Sequence, residues 1–426
     1  MNPATVLISL IGVIVSFVVV ILLIRRRMQF GIALLIGCMI LAIFSLILTD
    51  AVSIAQAVSQ AMIYSFETQQ FQFQTIELAI LMTLIFMLAS LMQDTGAIAQ
   101  LIQSLRSFFS KGGTIALIPA IYGLMPVPGG ALFSAPVVDE EGTKFKIDKS
   151  KKNFFNIWFR HIWFPVYPIS YSIVVMADIV HVDIYALIQA NLFSFIVMVM
   201  LGFILFKKIL SDQQQKTPIH SEIVSKQYRG FIFLLPPILP VFFSMLTIVG
   251  IPQNIAFITG ILSAMGLLFF ISDVSSSQFF TYLKNAATIK FVLVIVAIMI
   301  FREIFEASGI NNAIFIIFEQ LPVPPLVIII LIPFFLSMLT GYILSGITLS
   351  YVLIEPLFSL TSVNLIGLAS IFFMSAFVGY LISPLHLCNV LSSEYLKTDT
   401  TRMYHIFIPT ALLLLIIHIV FVYLIY

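Results

Sequence analysis

The chain is written as long apolar blocks separated by short polar punctuation. A helix that spans a bilayer needs about 20 mostly apolar residues. Blocks of that kind recur over residues 6–24, 32–48, 76–92, 185–206, 230–249, 255–271, 289–308 and 405–426. Four further stretches do not fit one span. Residues 114–138 are interrupted by Pro126-Val127-Pro128-Gly129-Gly130. Residues 326–355 are too long for one helix and too short for two, and carry Gly341, Ser345 and Gly346 at their middle. Residues 153–180 hold Pro165 and Pro168, and residues 364–396 hold Gly379, Ser383 and Pro384. Proline removes a helix donor and glycine carries no helix preference. The pattern therefore predicts two helical hairpins and two crossing helices with unwound middles. An amphipathic stretch is expected up to about Gln74.

Charge gives the apolar blocks a direction, because Lys and Arg collect on the cytoplasmic side of membrane proteins. Arg25, Arg26 and Arg27 place the end of the first block inside. The run Lys144, Lys146, Lys149, Lys151 and Lys152 places the loop after the first hairpin there too, so that hairpin enters and leaves from the inside. Threaded this way, every one of the 21 Lys and Arg residues except Arg302 lands inside or at the inner interface. Both termini fall outside, in a cytoplasmic (inner) cell membrane.

The same threading turns two halves of similar plan upside down relative to each other. Thr95-Gly96 matches Ser308-Gly309, Ile118-Pro119 matches Ile332-Pro333, Ser134 falls against Ser350, and Pro168 matches Pro384. The expected fold is an all-α membrane protein. It has about ten transmembrane helices plus two re-entrant hairpins in two inverted repeats. The first repeat is 1–210 and the second 229–426, joined by a cytoplasmic linker over 211–228. Re-entrant backbone is tolerated only where protein or water covers it.

Composition removes the main alternatives. Of 426 residues, 61% are hydrophobic and 9% charged, against about 25% charged in a soluble domain. The net charge of +2 says nothing about nucleic acid, there is no basic tail, and no nucleic-acid partner is expected. Cys38 and Cys388 sit in apolar context and read as buried free thiols. The basic residues follow the first apolar run instead of preceding it, so it reads as a retained helix and not a signal peptide. There is no His-Glu-x-x-His pair, no Gly-x-Gly-Asp motif, no Asp-rich diphosphate site and no Gly-x-x-x-x-Gly-Lys-Ser/Thr run. An intramembrane enzyme and ATP coupling are set aside, and no cofactor or metal is expected.

Inverted repeats with broken helices are the plan of secondary transporters. Helix ends inside a bilayer expose N–H and C=O groups that something must satisfy, and half-helix N-termini favour anions. The candidate substrate-binding residues therefore lie at the breaks: Pro128, Gly129, Gly130, Ser134, Tyr167, Ser170, Gly341, Ser345, Gly346, Thr348, Ser350, Ser383 and Asn389. Candidates for ion coupling are His386, Arg302 and Glu306. Arg302 and Glu306 stand four apart, so they face each other as an ion pair. Arg160-His161 reads first as a snorkelling interfacial arginine. The expected partners are a small organic anion, a coupling ion and the lipid bilayer, with a homodimer left open.

Three runs also carry a resemblance. They are Pro126-Val127-Pro128-Gly129-Gly130-Ala131-Leu132-Phe133-Ser134-Ala135-Pro136, Asn156-Ile157-Trp158-Phe159-Arg160-His161-Ile162-Trp163 and Ser383-Pro384-Leu385-His386-Leu387-Cys388. The sequence resembles an uncharacterised prokaryotic membrane family, domain of unknown function four hundred and one. That family is similar to the ion transporter superfamily of gluconate and dicarboxylate symporters. The resemblance implies inverted repeats, re-entrant hairpins and ion-coupled transport of an organic anion. The dicarboxylate members have Ser-Asn-Thr-type hairpin tips, where this chain has Pro-Gly-Gly and Leu-Ser-Gly. With His386 nearby, a proton is expected ahead of sodium. A channel or structural membrane component is the alternative.

Overall fold

The structure is a computed structural model that describes residues 3–47, 49–66, 68–108, 113–124, 130–214, 228–286, 289–308, 322–398 and 400–426. The fold is all-α, save for a ribbon of two-residue strands, β1 (Tyr64–Ser65) and β2 (Gln70–Phe71), paired antiparallel. The chain begins with α1 (Pro3–Arg25), α2 (Phe30–Ser45), α3 (Ala51–Met62), α4 (Gln74–Asp94) and α5 (Ala97–Phe108). The expected amphipathic stretch is α3 and the ribbon. Asp50 caps α3 by accepting a hydrogen bond from the Ser53 amide at 2.7 Å, one of the donors a helix start leaves unmet.

The first hairpin follows as α6 (Gly113–Gly123) and α7 (Ala131–Lys144), which pack against each other. Its Pro126–Gly129 tip lies outside the described residues. Next comes the first broken helix, α8 (Lys149–Arg160) and α9 (Tyr171–Val180), with unwound residues 161–170 between its halves. It starts earlier than residue 153, because Asp148 caps it through the amides of Ser150 and Lys151. Lys152 thus belongs to the helix, where its buried Nζ donates to Asp139 at 2.8 Å and to Thr143 at 2.6 Å. α10 (Ile184–Gln214) then runs on through 211–214, the first positions of the expected linker. Most of the rest of that linker is outside the described residues.

The second half opens on α11 (Leu235–Ser244), flanked by 3-10 turns at Arg229–Leu234 and Met245–Val249. The apolar pattern alone predicts one α-helix over 230–249. Pro236, Pro237 and Pro240 remove backbone donors there, and the tighter 3-10 winding takes up the ends. α12 (Gln253–Ile271), α13 (Ser276–Ala286) and α14 (Ile289–Ala307) lead to the second hairpin, α15 (Pro325–Thr340) and α16 (Ile343–Ile354). Its turn is Gly341-Tyr342, with Gly341 at φ +67°, a conformation only glycine adopts freely. Gly346, expected at the break, lies inside α16. A Cβ there would sit 1.7 Å from Ser337 Oγ, so it serves close packing of the two arms. The second broken helix is α17 (Leu365–Leu381) and α18 (Leu387–Leu396), with 382–386 unwound. α19 (Thr400–Ile425) ends the chain.

α17 sits at the centre of the molecule, buried at every position from Gly367 to Leu381, as a helix apolar all round should be. It packs on α15, α10 and α19. The outermost helices turn large apolar side chains to the surroundings, among them Met39, Ile43, Phe203, Phe242, Phe270 and Leu424. Water does not tolerate so extensive an apolar exterior. Among the described residues, six helical stretches are long and apolar enough to cross a bilayer: Gln74–Asp94, Ile184–Ile209, Arg229–Val249, Gln253–Ile271, Ile343–Leu360 and Thr400–Ile425. The molecule is an all-α, multi-pass membrane protein.

Candidate functional site

Unwound backbone in a bilayer exists only against protein or water, and here it lines water-accessible space. A cavity of about 600 Å³ is bounded by the residues that follow α8, the turn of the second hairpin and the break between α17 and α18. The ends of α1 and α14 complete it. Arg27 and Lys290, both exposed, stand at one end of the cavity. Deeper in lies Arg160, the last residue of α8, which keeps only 3% of its surface exposed. No Asp or Glu side chain lines the cavity among the described residues, and its charged lining is Arg27, Arg160 and Lys290.

Arg160 packs against the first hairpin, its guanidinium on Gly130 and its backbone on Gly123. A Cβ added at Gly130 would fall 2.0 Å from Arg160 Nη2, and one at Gly123 would fall 2.0 Å from the Arg160 carbonyl oxygen. Both glycines are therefore spaces that the arginine fills. Such buried placement overrides the snorkelling interfacial reading of this residue.

Beside Arg160 stands a compact group of two histidines and a thiol. His161 Nδ1 contacts the Ile157 carbonyl oxygen at 2.7 Å. An acceptor at that position fixes the proton on Nδ1 and leaves Nε2 with a lone pair. The His161 and His386 rings meet edge to face with centroids 4.8 Å apart, and Tyr380 lies 4.0 Å from His386. Neither ring nitrogen of the fully buried His386 makes a hydrogen bond among the described residues. The donor atoms of His161, His386 and Cys388 all lie within 4.8 Å of one another. They are the residues here that could hold a metal ion. Zinc bonds of about 2.0–2.3 Å place tetrahedral donors roughly 3.3–3.8 Å apart, so the group is wider than a closed site.

The remaining wall is aromatic. Tyr171, Tyr342 and Tyr380 come from the two broken helices and the second hairpin, and Phe86 and Phe291 from α4 and α14. The family model described as "Protein of unknown function (DUF401)" matches residues 4–425. The chain belongs to this family. No curated protein matches it.

In this DUF401 chain the residues singled out from the sequence fall into three groups. Gly341 lines the cavity, Gly130 packs beneath Arg160, and His386 stands behind the wall made by His161 and Tyr380. The hydroxyl residues at the breaks are instead turned inward to protein partners. Ser134 Oγ donates to Asn156 Oδ1 at 2.5 Å, Tyr167 to the Pro237 carbonyl at 2.7 Å, and Ser383 to the Met338 carbonyl at 2.6 Å. Ser170 pairs with Ser172, Ser345 with Thr340, Thr348 donates to the Leu344 carbonyl and Ser350 to that of Gly346. Asn389 accepts from Asn153 Nδ2 at 3.3 Å and donates to Tyr404 at 2.8 Å. Pro128 and Gly129 lie outside the described residues.

Arg302 and Glu306 form the third group, away from the large cavity. Arg302 Nε donates to Glu306 at 2.8 Å, as their spacing requires, and its Nη2 reaches His181 Nε2 at 3.1 Å. His181 borders a second cavity of about 230 Å³ with Gln74, Asp178 and Asn254. In the turn after α9, burial and then the Arg302 charge push the His181 imidazole below its ordinary pKa. The neutral ring, accepting from Arg302, is the form this contact selects.

Nothing in the sequence singles out Arg27, Tyr171, Lys290, Tyr342 or Tyr380 as site residues. Arg27 reads there only as a charge that orients the first helix.

Proposed function

We propose that the protein is a secondary transporter that moves a small organic anion across the cytoplasmic membrane by alternating access, coupled to protons. The observation that carries the reading is the cavity itself. Two broken helices and a hairpin turn converge on it, its charged lining among the described residues is Arg27, Arg160 and Lys290, and the deeply buried Arg160 guanidinium packs against Gly130 of the first hairpin. Arg is the side chain best shaped to grip a carboxylate through two parallel hydrogen bonds.

Inverted repeats are supported by reciprocal packing. α7 of the first hairpin packs on α18 of the second broken helix, and α16 of the second hairpin packs on α9 of the first. α2 packs on α14 while α12 packs on α4. Each hairpin packs its first arm, which carries an internal proline (Pro119 and Pro333), on the first half of its own broken helix. One unit repeated upside down has two ways of opening, related by a pseudo-two-fold axis and of similar energy, which is what alternating access requires. On this reading the shorter apolar helices bring the spans to about ten, and both termini lie outside.

Proton coupling is supported by the His161, His386 and Cys388 group at the cavity wall. A carboxylate carried with one proton crosses as a neutral pair, which avoids the cost of moving a bare charge through low dielectric. A channel would need a continuous polar lining, and the aromatic wall is not one. The test is uptake into proteoliposomes. Saturating uptake that responds to an imposed pH gradient is expected. Flux that neither saturates nor responds to a pH or sodium gradient would overturn the carrier in favour of a channel.

A further inference from the structure

We propose that the anion is a monocarboxylate with an aromatic or similarly bulky apolar body, and not a dicarboxylate or a polyhydroxy acid. This rests on the transporter reading above and sharpens it to a substrate class. The balance of charge, hydrogen bonding and ring surface around the cavity carries it.

Charge comes first. Only one arginine or lysine lining the cavity is buried, Arg160; Arg27 and Lys290 are exposed. One buried guanidinium matches one carboxylate. A second carboxylate on a short backbone would lie among Phe and Tyr rings, and the other two cations of the lining, Arg27 and Lys290, are exposed, where water weakens an ion pair. Hydrogen bonding comes next. Among the described residues, no Ser, Thr or Asn side chain lines the cavity; its hydroxyls are those of Tyr171, Tyr342 and Tyr380, and Gln29 is its one side-chain amide. The hydroxyls at the breaks that could have reached a sugar acid are occupied: Ser345 by Thr340, Thr348 and Ser350 by carbonyls of their own helix, Ser383 by Met338. The several hydroxyls of a polyhydroxy acid would have to share the tyrosine hydroxyls and Gln29, and each one left over would give up a water partner.

Ring surface is what the cavity offers instead. Phe86 stacks on Phe291 with an interplanar angle of 6°, and Phe164 stacks on Tyr380 at 22°. Tyr342 meets Phe30 edge to face with centroids 5.1 Å apart. All of these residues line the space. Walls that are mostly apolar, with a few convergent polar groups fixing orientation, hold ligands by their apolar bodies, and aromatic rings favour other rings in stacked or edge-to-face contact. The carboxylate sits at Arg160 beside His161, and the body extends along the rings.

The experiment compares phenylacetate, succinate, gluconate and the neutral 2-phenylethanol with the purified full-length protein. It reads thermal stabilisation in detergent and pH-driven uptake in proteoliposomes. Phenylacetate is expected to stabilise the protein saturably and to be taken up. Succinate and gluconate are expected to do neither at tenfold higher concentration, and 2-phenylethanol, lacking the anion, to do nothing. Arg160→Gln should abolish phenylacetate stabilisation. Tyr380→Leu should weaken it at least tenfold while Tyr380→Phe keeps it, and Phe291→Leu, at a half-buried position, is the second variant should Tyr380→Leu fail to fold. Preference for succinate or gluconate overturns the substrate class but leaves the carrier standing. Absence of any phenylacetate effect also overturns the class. If in addition none of the three acids shows saturable uptake, the carrier reading falls with it.

Discussion

Gly130 lies directly beneath the guanidinium of Arg160, so close that a methyl group in its place would be 2.0 Å from Nη2. The atom displaced would be the far end of a flexible side chain, so Gly130→Ala should fold. The arginine it pushes aside would no longer point as it does now. The expected outcome is wild-type thermal stability within a few degrees and at least tenfold weaker anion binding, read as the ligand concentration that gives half-maximal stabilisation. Unchanged affinity would remove Arg160 from the anion site.

Gly123 meets the same residue at its backbone. Its added Cβ would sit 2.0 Å from the Arg160 carbonyl oxygen, which cannot rotate away. Gly123→Ala should therefore cost stability on the scale of core overpacking, about 1–3 kcal/mol or more. Thermal unfolding of the two glycine variants side by side checks the contrast. Equal stability of both would contradict it.

The His181 contact predicts an acid limb in stability. Its imidazole is held below its ordinary pKa by burial and by Arg302. A depressed folded pKa gives stability that is complete above the unfolded value of about 6.5 and is lost as pH falls through the folded value. Protonation also turns Nε2 from an acceptor into a donor facing Arg302 Nη2. Melting temperature measured from pH 7.5 down to pH 4.5 should fall in the wild type and fall less in His181→Gln, whose amide oxygen can still accept. Parallel curves would rule out His181 as the titrating group.

Cys388 lines the large cavity, whereas Cys38 does not; its Sγ donates to the Ala297 carbonyl at 3.5 Å, linking α2 to α14. A small water-soluble thiol reagent should therefore modify Cys388 well before Cys38. In sealed vesicles it should do so only from the side that carries Arg27 and Lys290. Peptide mass mapping reads both results. Labelling of Cys38 first, or of Cys388 equally from either side, would contradict the geometry of the cavity.

What is legible in the sequence is the punctuation. Proline and glycine mark where an apolar helix cannot continue, so the breaks after Arg160 and Leu381 and the turn at Gly341 follow from residue types and spacing. The walls of the cavity leave no such mark. The chain has 41 Phe and 14 Tyr, and in a lipid-facing protein each reads equally as filler. Only tertiary packing brings Phe86, Phe291, Phe164 and Tyr380 to one space. The hydroxyls mislead in the opposite way. Ser134, Ser345, Ser350 and Ser383 sit where expected along the chain, but in a bilayer the nearest unmet partner is a backbone carbonyl or a neighbouring side chain, and those partners take them. Arg160 reads as interfacial because it sits beside the loop placed inside by its lysines. Its burial depends on two glycines from another helix pair, which spacing along α8 cannot reveal.

Those glycines have a counterpart. Just as Gly123 sets the first hairpin against the Arg160 backbone, Gly379 sets the second broken helix against the backbone of the second hairpin, with a hypothetical Cβ only 2.0 Å from the Phe334 oxygen. At both seams main chain rests on main chain, with no side chain between them to change rotamer. Sliding there would mean backbone collision, so on the transporter reading proposed above each hairpin would move with its own broken helix. On that reading, a movement that opens the cavity to the opposite face would slip elsewhere, at a seam such as that between α4 and α12; the α2–α14 seam is again close to main chain, with a Cβ at Gly31 only 2.8 Å from the Val294 nitrogen.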